Sequence, residues 1–226
     1  AHDFNNILTA ILANVSFVRT QLGAGSTAAD RLMEAEKASL RARELTKQLL
    51  TFSRGGAPVR KTILLAGLIR ESATLALRGS GTACEFAIAG DLWHIEADEG
   101  QIGQVINNLV INASHAMARG GTVRVAAGNV VVSRQENLAL ADGRYVKLSV
   151  SDRGAGIPAE HRDQISEQFF TTRPGGTGLG LYIARELADA NGATLELLPK
   201  SPGAHFRMTL KRASAAASAP AEQPEA

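Results

Sequence analysis

The stretch NNLVINA, residues 107–113, lies inside a longer amphipathic run, DEGQIGQVINNLVINASHAMA, and sets Asn108 and Asn112 four positions apart. On a helix that spacing puts both carboxamides on one face, a turn apart, where they can offer oxygen to a hard cation or NH2 groups to phosphate. Taken alone, the pair reads more readily as a solvated polar stripe. Asp98, with Gln101 three residues on, has the form of a capping box that opens this helix.

Two Gly-bearing clusters follow it. In DRGAGIP, 152–158, Asp152 ends a β-rich run and precedes Gly154 and Gly156. A carboxylate at a strand end can accept a hydrogen bond from an exocyclic amine, and glycines let a planar ring approach the backbone. An Asx-turn with glycine at positive φ gives the same pattern. In GGTGLGL, 175–181, Gly175, Gly176, Gly178 and Gly180 lead into a helix start, whose unpaired amides and dipole favour polyphosphate. A mobile linker has the same composition.

Around these clusters the chain alternates helix and strand. LAGLIRESATLALR and LYIARELADANG read as helices, the second ended by Gly192. CEFAIAG, DLWHIEAD, GTVRVAAGNVVVSR, YVKLSVSD, TLELLP and AHFRMTLKR read as strands. Short turns between successive strands predict an α/β sandwich with a mixed, mostly antiparallel sheet.

Before Pro58 the pattern is purely helical. Apolar residues recur at Ile7, Leu8, Ile11, Leu12, Val15, Val18 and Leu22, and again at Ala35, Ala38, Ala42, Leu45, Leu49 and Phe52. The glycines at 23 and 25 separate the two runs, which predicts an antiparallel helical hairpin. Two helices cover too little apolar surface by themselves, so the hairpin should pair with a second copy as a four-helix bundle, making the protein a homodimer. The expected division is therefore residues 1–56, 57–212 and a tail or linker at 213–226, in an α+β chain.

The 226 residues carry 24 Lys and Arg against 22 Asp and Glu, a balance of +2 without a basic stripe, which argues against nucleic acid as a partner. No apolar run is long enough to cross a membrane, so no membrane contact is expected of this segment. Cys84 is the single cysteine, so neither an internal disulfide nor a thiolate metal cluster can form, which suits a cytoplasmic setting. With Ala at position 1 and a Pro/Ala-rich end, the chain reads as a segment of a longer polypeptide.

The order Asn-x-x-x-Asn helix, D-x-G-x-G, G-x-G-L-G resembles the ATP-binding domain of sensor histidine kinases and, more distantly, that of gyrase-type and mismatch-repair ATPases. It lacks the G-x-x-x-x-G-K-[ST] of a P-loop. HDFNN, 2–6, at the head of a helical hairpin is similar to the phosphoacceptor segment of the same kinases. The resemblance covers residues 2 to about 212. It implies His2 as phosphoacceptor, Asp3 as the acidic neighbour that supports transfer, and Asn6 at the position associated with phosphatase activity. It further implies Asn112 as the Mg2+ ligand, with Asn108 its companion and His115 on the same ATP-facing helix. Asp152 would read adenine above Gly154 and Gly156. Phe169 and Phe170 match the aromatic box before the ATP lid. Thr172 and Arg173 fall in the lid, and Gly176, Thr177, Gly178, Leu179 and Gly180 on its phosphate side. Ser166 and Gln168 stand where the family more often has Phe and Pro, and the lid is short, which bears on lid closure and turnover more than on nucleotide binding. The implied function is autophosphorylation from Mg-ATP and transfer to an Asp of a response-regulator receiver domain, with phosphatase activity as well. The competing reading is a degenerate kinase serving as a dimeric nucleotide-binding scaffold.

Overall fold

The computed structural model describes residues 2–22, 26–54, 57–117, 120–133, 140–173, 176–199 and 202–214, with backbone alone for 2–5, 41 and 43–54. The turn glycines 23 and 25, Gly55, Gly56, Gly175 and the tail from 215 lie outside the described residues, as do the side chains of His2, Asp3, Leu45, Leu49 and Phe52. The chain separates into two compact units: residues 1–56 with 169–179, and residues 57–168 with 180–226.

In the first unit, helices α1 (His2–Gln21) and α2 (Thr27–Arg54) pack on each other. Leu8, Leu12 and Val15 of α1 are half-buried, as are Leu32, Glu36 and Ser39 of α2. Between them the Ser16 hydroxyl donates to Glu36 at 2.7 Å, and Arg19 pairs with the same carboxylate at 3.1 Å. Ala35 and Ala38, expected on the seam, are exposed: the α2 face turned to α1 runs one position along from them. The other apolar stripe of α1 stays open, with Ile7 58 %, Ile11 43 % and Val18 46 % exposed.

The second unit is a one-sided sandwich. Among the described residues, β2 (Thr82–Ile88), β4 (Gly121–Val132), β5 (Gly143–Ser151), β7 (His205–Lys211) and β6 (Thr194–Leu198) form one sheet in the order β2-β4-β5-β7-β6. β2 runs parallel to β4; every other neighbouring pair is antiparallel. The mixed, mostly antiparallel sheet is thus as expected, but β3 (Ile95–Ala97) is not one of its strands and meets its margin through a bridge from Ile95 to Arg212, just past β7. It pairs instead with β1 (Lys61–Ile63), a strand too short for an alternation signal. The parallel pair arises because the chain passes through α4 (Glu99–Ala116) before returning as β4.

Alternation decides which face of the sheet is covered. Val123, Val125 and Ala127 on β4, Val146, Leu148 and Val150 on β5, and Phe206, Met208 and Leu210 on β7 are buried. Helices supply the other half of that core: Leu65, Ile69 and Ala73 of α3 (Leu65–Ala76), Ile102, Val105, Ile106, Leu109 and Val110 of α4, and Ile183, Ala184, Leu187 and Ala188 of α5 (Gly180–Ala190). Each buried large aliphatic side chain contributes about 1.5–3 kcal/mol relative to exposure, so the helical face and the strand face hold each other. Arg124, Ser149, Ser151 and Arg207 project from the opposite face, which carries the polar half of the alternation.

α4 starts as its sequence predicts. Asp98 caps it, accepting from the Gln101 amide at 3.0 Å. The reciprocal role foreseen for Gln101 falls to a distant residue: the Asp98 amide donates to the Asn191 side-chain oxygen at 2.8 Å.

Candidate functional site

α4 carries the site along one face. Asn108 and Asn112 stand one turn apart, and both meet the first residue of α5. The Asn108 side-chain amide donates to the Gly180 carbonyl at 3.1 Å. A β-carbon on Gly180 would lie 3.5 Å from Nδ2 and 3.8 Å from Oδ1 of Asn112. Among the described residues the Asn112 carboxamide has no hydrogen-bond partner, although it is half-buried. It therefore faces the amino-terminal end of α5, where unpaired amides and the helix dipole attract anions. His115 is exposed in the last turn of α4.

Eight residues beyond Asn108 on the same face, Ala116 meets the second part of the site. By the helical rise that is about 12 Å. Gly154 packs on it so tightly that a β-carbon there would sit 2.5 Å from the Ala116 carbonyl oxygen. Asp152, 3 % exposed, uses Oδ1 to accept from the Gly154 amide at 2.7 Å and the Ala204 amide at 3.2 Å, while its own amide donates to the Ala204 carbonyl at 3.0 Å. The carboxylate thus organises its loop in the Asx fashion as well as standing at a strand end. Gly156 (φ +75°) and Gly203 (φ +91°) take left-handed backbone, and a side chain on Gly203 would collide with the Asp152 carbonyl. Gly203 and Ala204 are parts of the site that the sequence reading did not single out. Pro202 and Gly203 are turn-forming residue types, but nothing local in the sequence ties them to Asp152.

A cleft of about 850 Å3 opens beside this loop, bounded by Ala116 and Met117 at the end of α4, by Asp152 and Gly154, and by Arg124 and His205 of the sheet. Asn112 does not line that cleft. The structure therefore brings the two asparagines to Gly180 and Asp152 to Gly154, and α4 joins the two groups as opposite ends of one face.

The residues foreseen in the lid form a closed loop within the first unit. The Phe169 amide donates to the Gly178 carbonyl at 3.1 Å, and Phe169 (φ +68°, 59 % exposed) and Gly178 (φ +67°) are both left-handed. A β-carbon on Gly178 would collide with the Phe169 backbone. Inside the loop the Gly176 amide donates to the Arg173 carbonyl at 3.0 Å, the Arg173 amide to the Thr171 hydroxyl at 3.2 Å, and the Leu179 amide to the Thr177 hydroxyl at 3.4 Å. Thr172 is exposed between them. On α1, Asn6 is exposed one turn beyond His2, on the same helical face.

Among the described residues no group of three or more His, Cys, Asp or Glu could hold a metal ion, and no helix is long and apolar enough to cross a membrane. Beside Gly180, the Asn112 amide oxygen is available to a divalent cation. That fits Mg2+, which keeps waters and takes phosphate oxygens rather than requiring an all-protein cage.

Residues 97–214 match the family of histidine kinase-, DNA gyrase B- and HSP90-like ATPases. Sensor kinase CckA of Brucella abortus (strain 2308) is 36% identical over 189 residues, covering 81% of this chain and 20% of that protein. Sensor histidine kinase ZraS of Escherichia coli (strain K12) is 28% identical over 200 residues, covering 87% and 40%. The chain thus spans less than half the length of these relatives. Among solved structures, full-length ShkA in complex with AMPPNP superposes with a TM-score of 0.66 at 26% identity, over 95% of this chain and 45% of that one. The catalytic domain of histidine kinase ThkA gives 0.57 at 29% identity, over 68% and 95%. With its Asn-bearing helix, its Asp152 loop and its mixed sheet, the chain belongs to the histidine kinase-, DNA gyrase B- and HSP90-like ATPase family, as a histidine kinase catalytic core.

Proposed function

We propose that this chain is the core of a sensor histidine kinase that phosphorylates His2 from Mg-ATP and passes the phosphoryl group to an Asp of a response-regulator receiver domain, with Asn6 serving the opposing phosphatase activity, in which water hydrolyses the regulator's aspartyl phosphate to inorganic phosphate. In this reading residues 1–56 are the dimerising phosphoacceptor hairpin, 57–212 the ATP-binding domain and 213–226 a tail or linker, and the segment works in the cytoplasm. The observation that carries it is the Asn112 carboxamide, uncommitted among the described residues and set against the first residue of α5. A half-buried amide beside a helix amino terminus supports a polyphosphate with an accompanying hard cation.

The residues divide the work. Asp152 orients the purine through its amine, and Gly154 and Gly156 keep the backbone flat beneath the base. By the resemblance, the amides from Gly176 to Gly180 are the phosphate-side donors, Thr172 and Arg173 add a hydroxyl and a positive charge from the lid, and His115 is a polar residue on the ATP-facing helix. Bound Mg2+, held through Asn112, supplies neutralisation of charge on the phosphate oxygens. Asp3 accepts the N–H of one imidazole nitrogen of His2, which fixes the tautomer and leaves the other nitrogen's lone pair for attack. A nitrogen–phosphorus bond forms, the bond to the ADP oxygen breaks, and the imidazole proton leaves afterwards. Positioning supplies most of the rate in such transfers, so the protein acts chiefly as a clamp. The open Ile7, Ile11 and Val18 stripe supports pairing with a second hairpin.

The test is incubation with radiolabelled ATP and Mg2+. The expected product is an acid-labile, base-stable phosphate that is absent in His2→Gln and in Asp152→Ala. Bound nucleotide with no label on His2 would instead establish the scaffold reading.

A further inference from the structure

Where the chain enters the second unit, it is fastened to the two helices that carry the asparagine end of the site. The Val59 amide donates to Asp98 Oδ2 at 2.9 Å, while Oδ1 of the same carboxylate caps α4 through the Gln101 amide at 3.0 Å. The Asp98 amide in turn donates to Asn191 Oδ1 at 2.8 Å. Asn191, 6 % exposed, spends its NH2 group on the Gln101 side-chain oxygen at 2.7 Å and on the Leu187 carbonyl of α5 at 2.8 Å. Next to Val59, the Arg60 guanidinium donates to the Ala190 carbonyl, the last residue of α5, at 2.9 Å. A cation at that end of a helix is favoured by the dipole as well as by the bond.

These contacts lie at the ends of α4 and α5 opposite to the site. α4 runs from the Asp98 cap to Asn112 and α5 from Ala190 back to Gly180, so both helices span the distance between the linker and the asparagine end of the site. Packed interiors transmit displacement rather than absorbing it. We infer that the Val59–Asp98–Asn191 chain of hydrogen bonds, with Arg60 on Ala190, is a clasp that makes the linker one body with the α4–α5 pair and so positions bound nucleotide for transfer to His2. The inference rests on the proposed kinase function. Asp98, Asn191 and Arg60 are positioning residues in it; none touches the nucleotide. The clasp fixes the chain to the ATP-binding unit from Val59 onward, two residues before β1 begins at Lys61. Without it, the first residue held to the unit is Lys61 at the start of β1.

Asn191→Ala strips a buried amide from three partners and can unfold the unit, so the decisive variants are on the surface. Val59, 67 % exposed, can become Pro, which deletes the donating N–H, and Arg60 can become Ala. Val59→Ala keeps the N–H and is the control. Initial rates of His2 labelling at saturating Mg-ATP and the affinity for a fluorescent ATP analogue are measured on the whole 226-residue chain. The Val59→Pro/Arg60→Ala variant is expected to label about tenfold more slowly with analogue affinity within about twofold, and Val59→Ala to match the parent. An unchanged rate overturns the clasp, as does a rate that falls only in proportion to affinity. A parent chain that takes no label sinks the kinase reading, and the clasp with it.

Discussion

A β-carbon on Gly154 would sit 2.5 Å from the carbonyl oxygen of Ala116, so the Asp152 loop and the last turn of α4 touch backbone to backbone. No rotamer relieves such a contact; the loop or the helix end has to move. Gly154→Ala is therefore expected to cost about 1–3 kcal/mol of stability, as overpacking does, and to weaken nucleotide binding by more than about tenfold. Thermal melting and calorimetric titration with a non-hydrolysable ATP analogue check the two effects. A variant that binds like the parent removes Gly154 from the site.

Asn108 and Asn112 should separate in their effects. Asn108 holds the Gly180 carbonyl, so Asn108→Ala is expected to lower stability by about 1 kcal/mol. Asn112 has no partner among the described residues to lose, so Asn112→Ala should leave stability within about 0.5 kcal/mol. It should nevertheless abolish the Mg2+-dependent part of ATP affinity. Urea unfolding and binding curves with and without Mg2+ decide the matter, and an Asn112→Ala protein whose metal dependence persists contradicts the assigned ligand.

Two glycines near each other in the Gly-rich stretch should respond in opposite ways. Gly178 has φ +67° and no room beside Phe169, so Gly178→Ala must reshape the loop at 169–178. Gly180 faces Asn112 at ordinary contact distance and begins a helix, so Gly180→Ala should fold normally, with stability within about 1 kcal/mol of the parent. The added methyl group would fill the space beside the Asn112 amide and weaken nucleotide binding. Amide hydrogen exchange over 169–178 reads the first outcome, melting temperature and affinity the second.

The exposed stripe of α1 predicts the oligomeric state. Ile11→Glu or Val18→Glu places a carboxylate where a second hairpin is expected to pack, and desolvating it costs several kcal/mol. Light scattering should show the parent as a dimer and the variants as monomers that still bind nucleotide. A monomeric parent removes the four-helix bundle.

Burial pushes the Cys84 thiol above its ordinary value. The folded protein therefore holds that proton where the unfolded chain releases it, so this contribution is complete below the ordinary thiol value, about 8.5, and is lost as pH rises toward the folded one. Urea midpoints between about pH 8 and pH 10 should fall more steeply in the parent than in Cys84→Ala. Equal slopes would show that burial of the thiol does not bear on stability.

What was readable in the chain follows from how local each signal is. The α4 register, its Asp98 cap, the glycine end of α5 at Gly192 and the long strands β4, β5 and β7 depend on neighbours within one or two turns, and the structure has them. β1 has three residues, too few for a period, and β2 pairs in parallel with β4 only because α4 intervenes. The seam through Ala35 and Ala38 was periodic, yet the face α2 turns to α1 is set by Leu32, Glu36 and Ser39, since Glu36 finds Ser16 and Arg19 there. Composition bounded the partners but located nothing.

The sequence by itself determined the order of the family motifs and placed Asn108 and Asn112 on one helical face, because side-chain direction on a helix is a matter of counting residues. Tertiary structure decided which groups those side chains meet: Gly180 for Asn108 and Asn112, Ala204 for Asp152, and Asn191 for the cap of α4. Asp152 and Ala204 are separated by 52 residues and Asp98 and Asn191 by 93. Such contacts exist only once burial of the sheet's apolar face has brought distant segments together, and no local pattern encodes them.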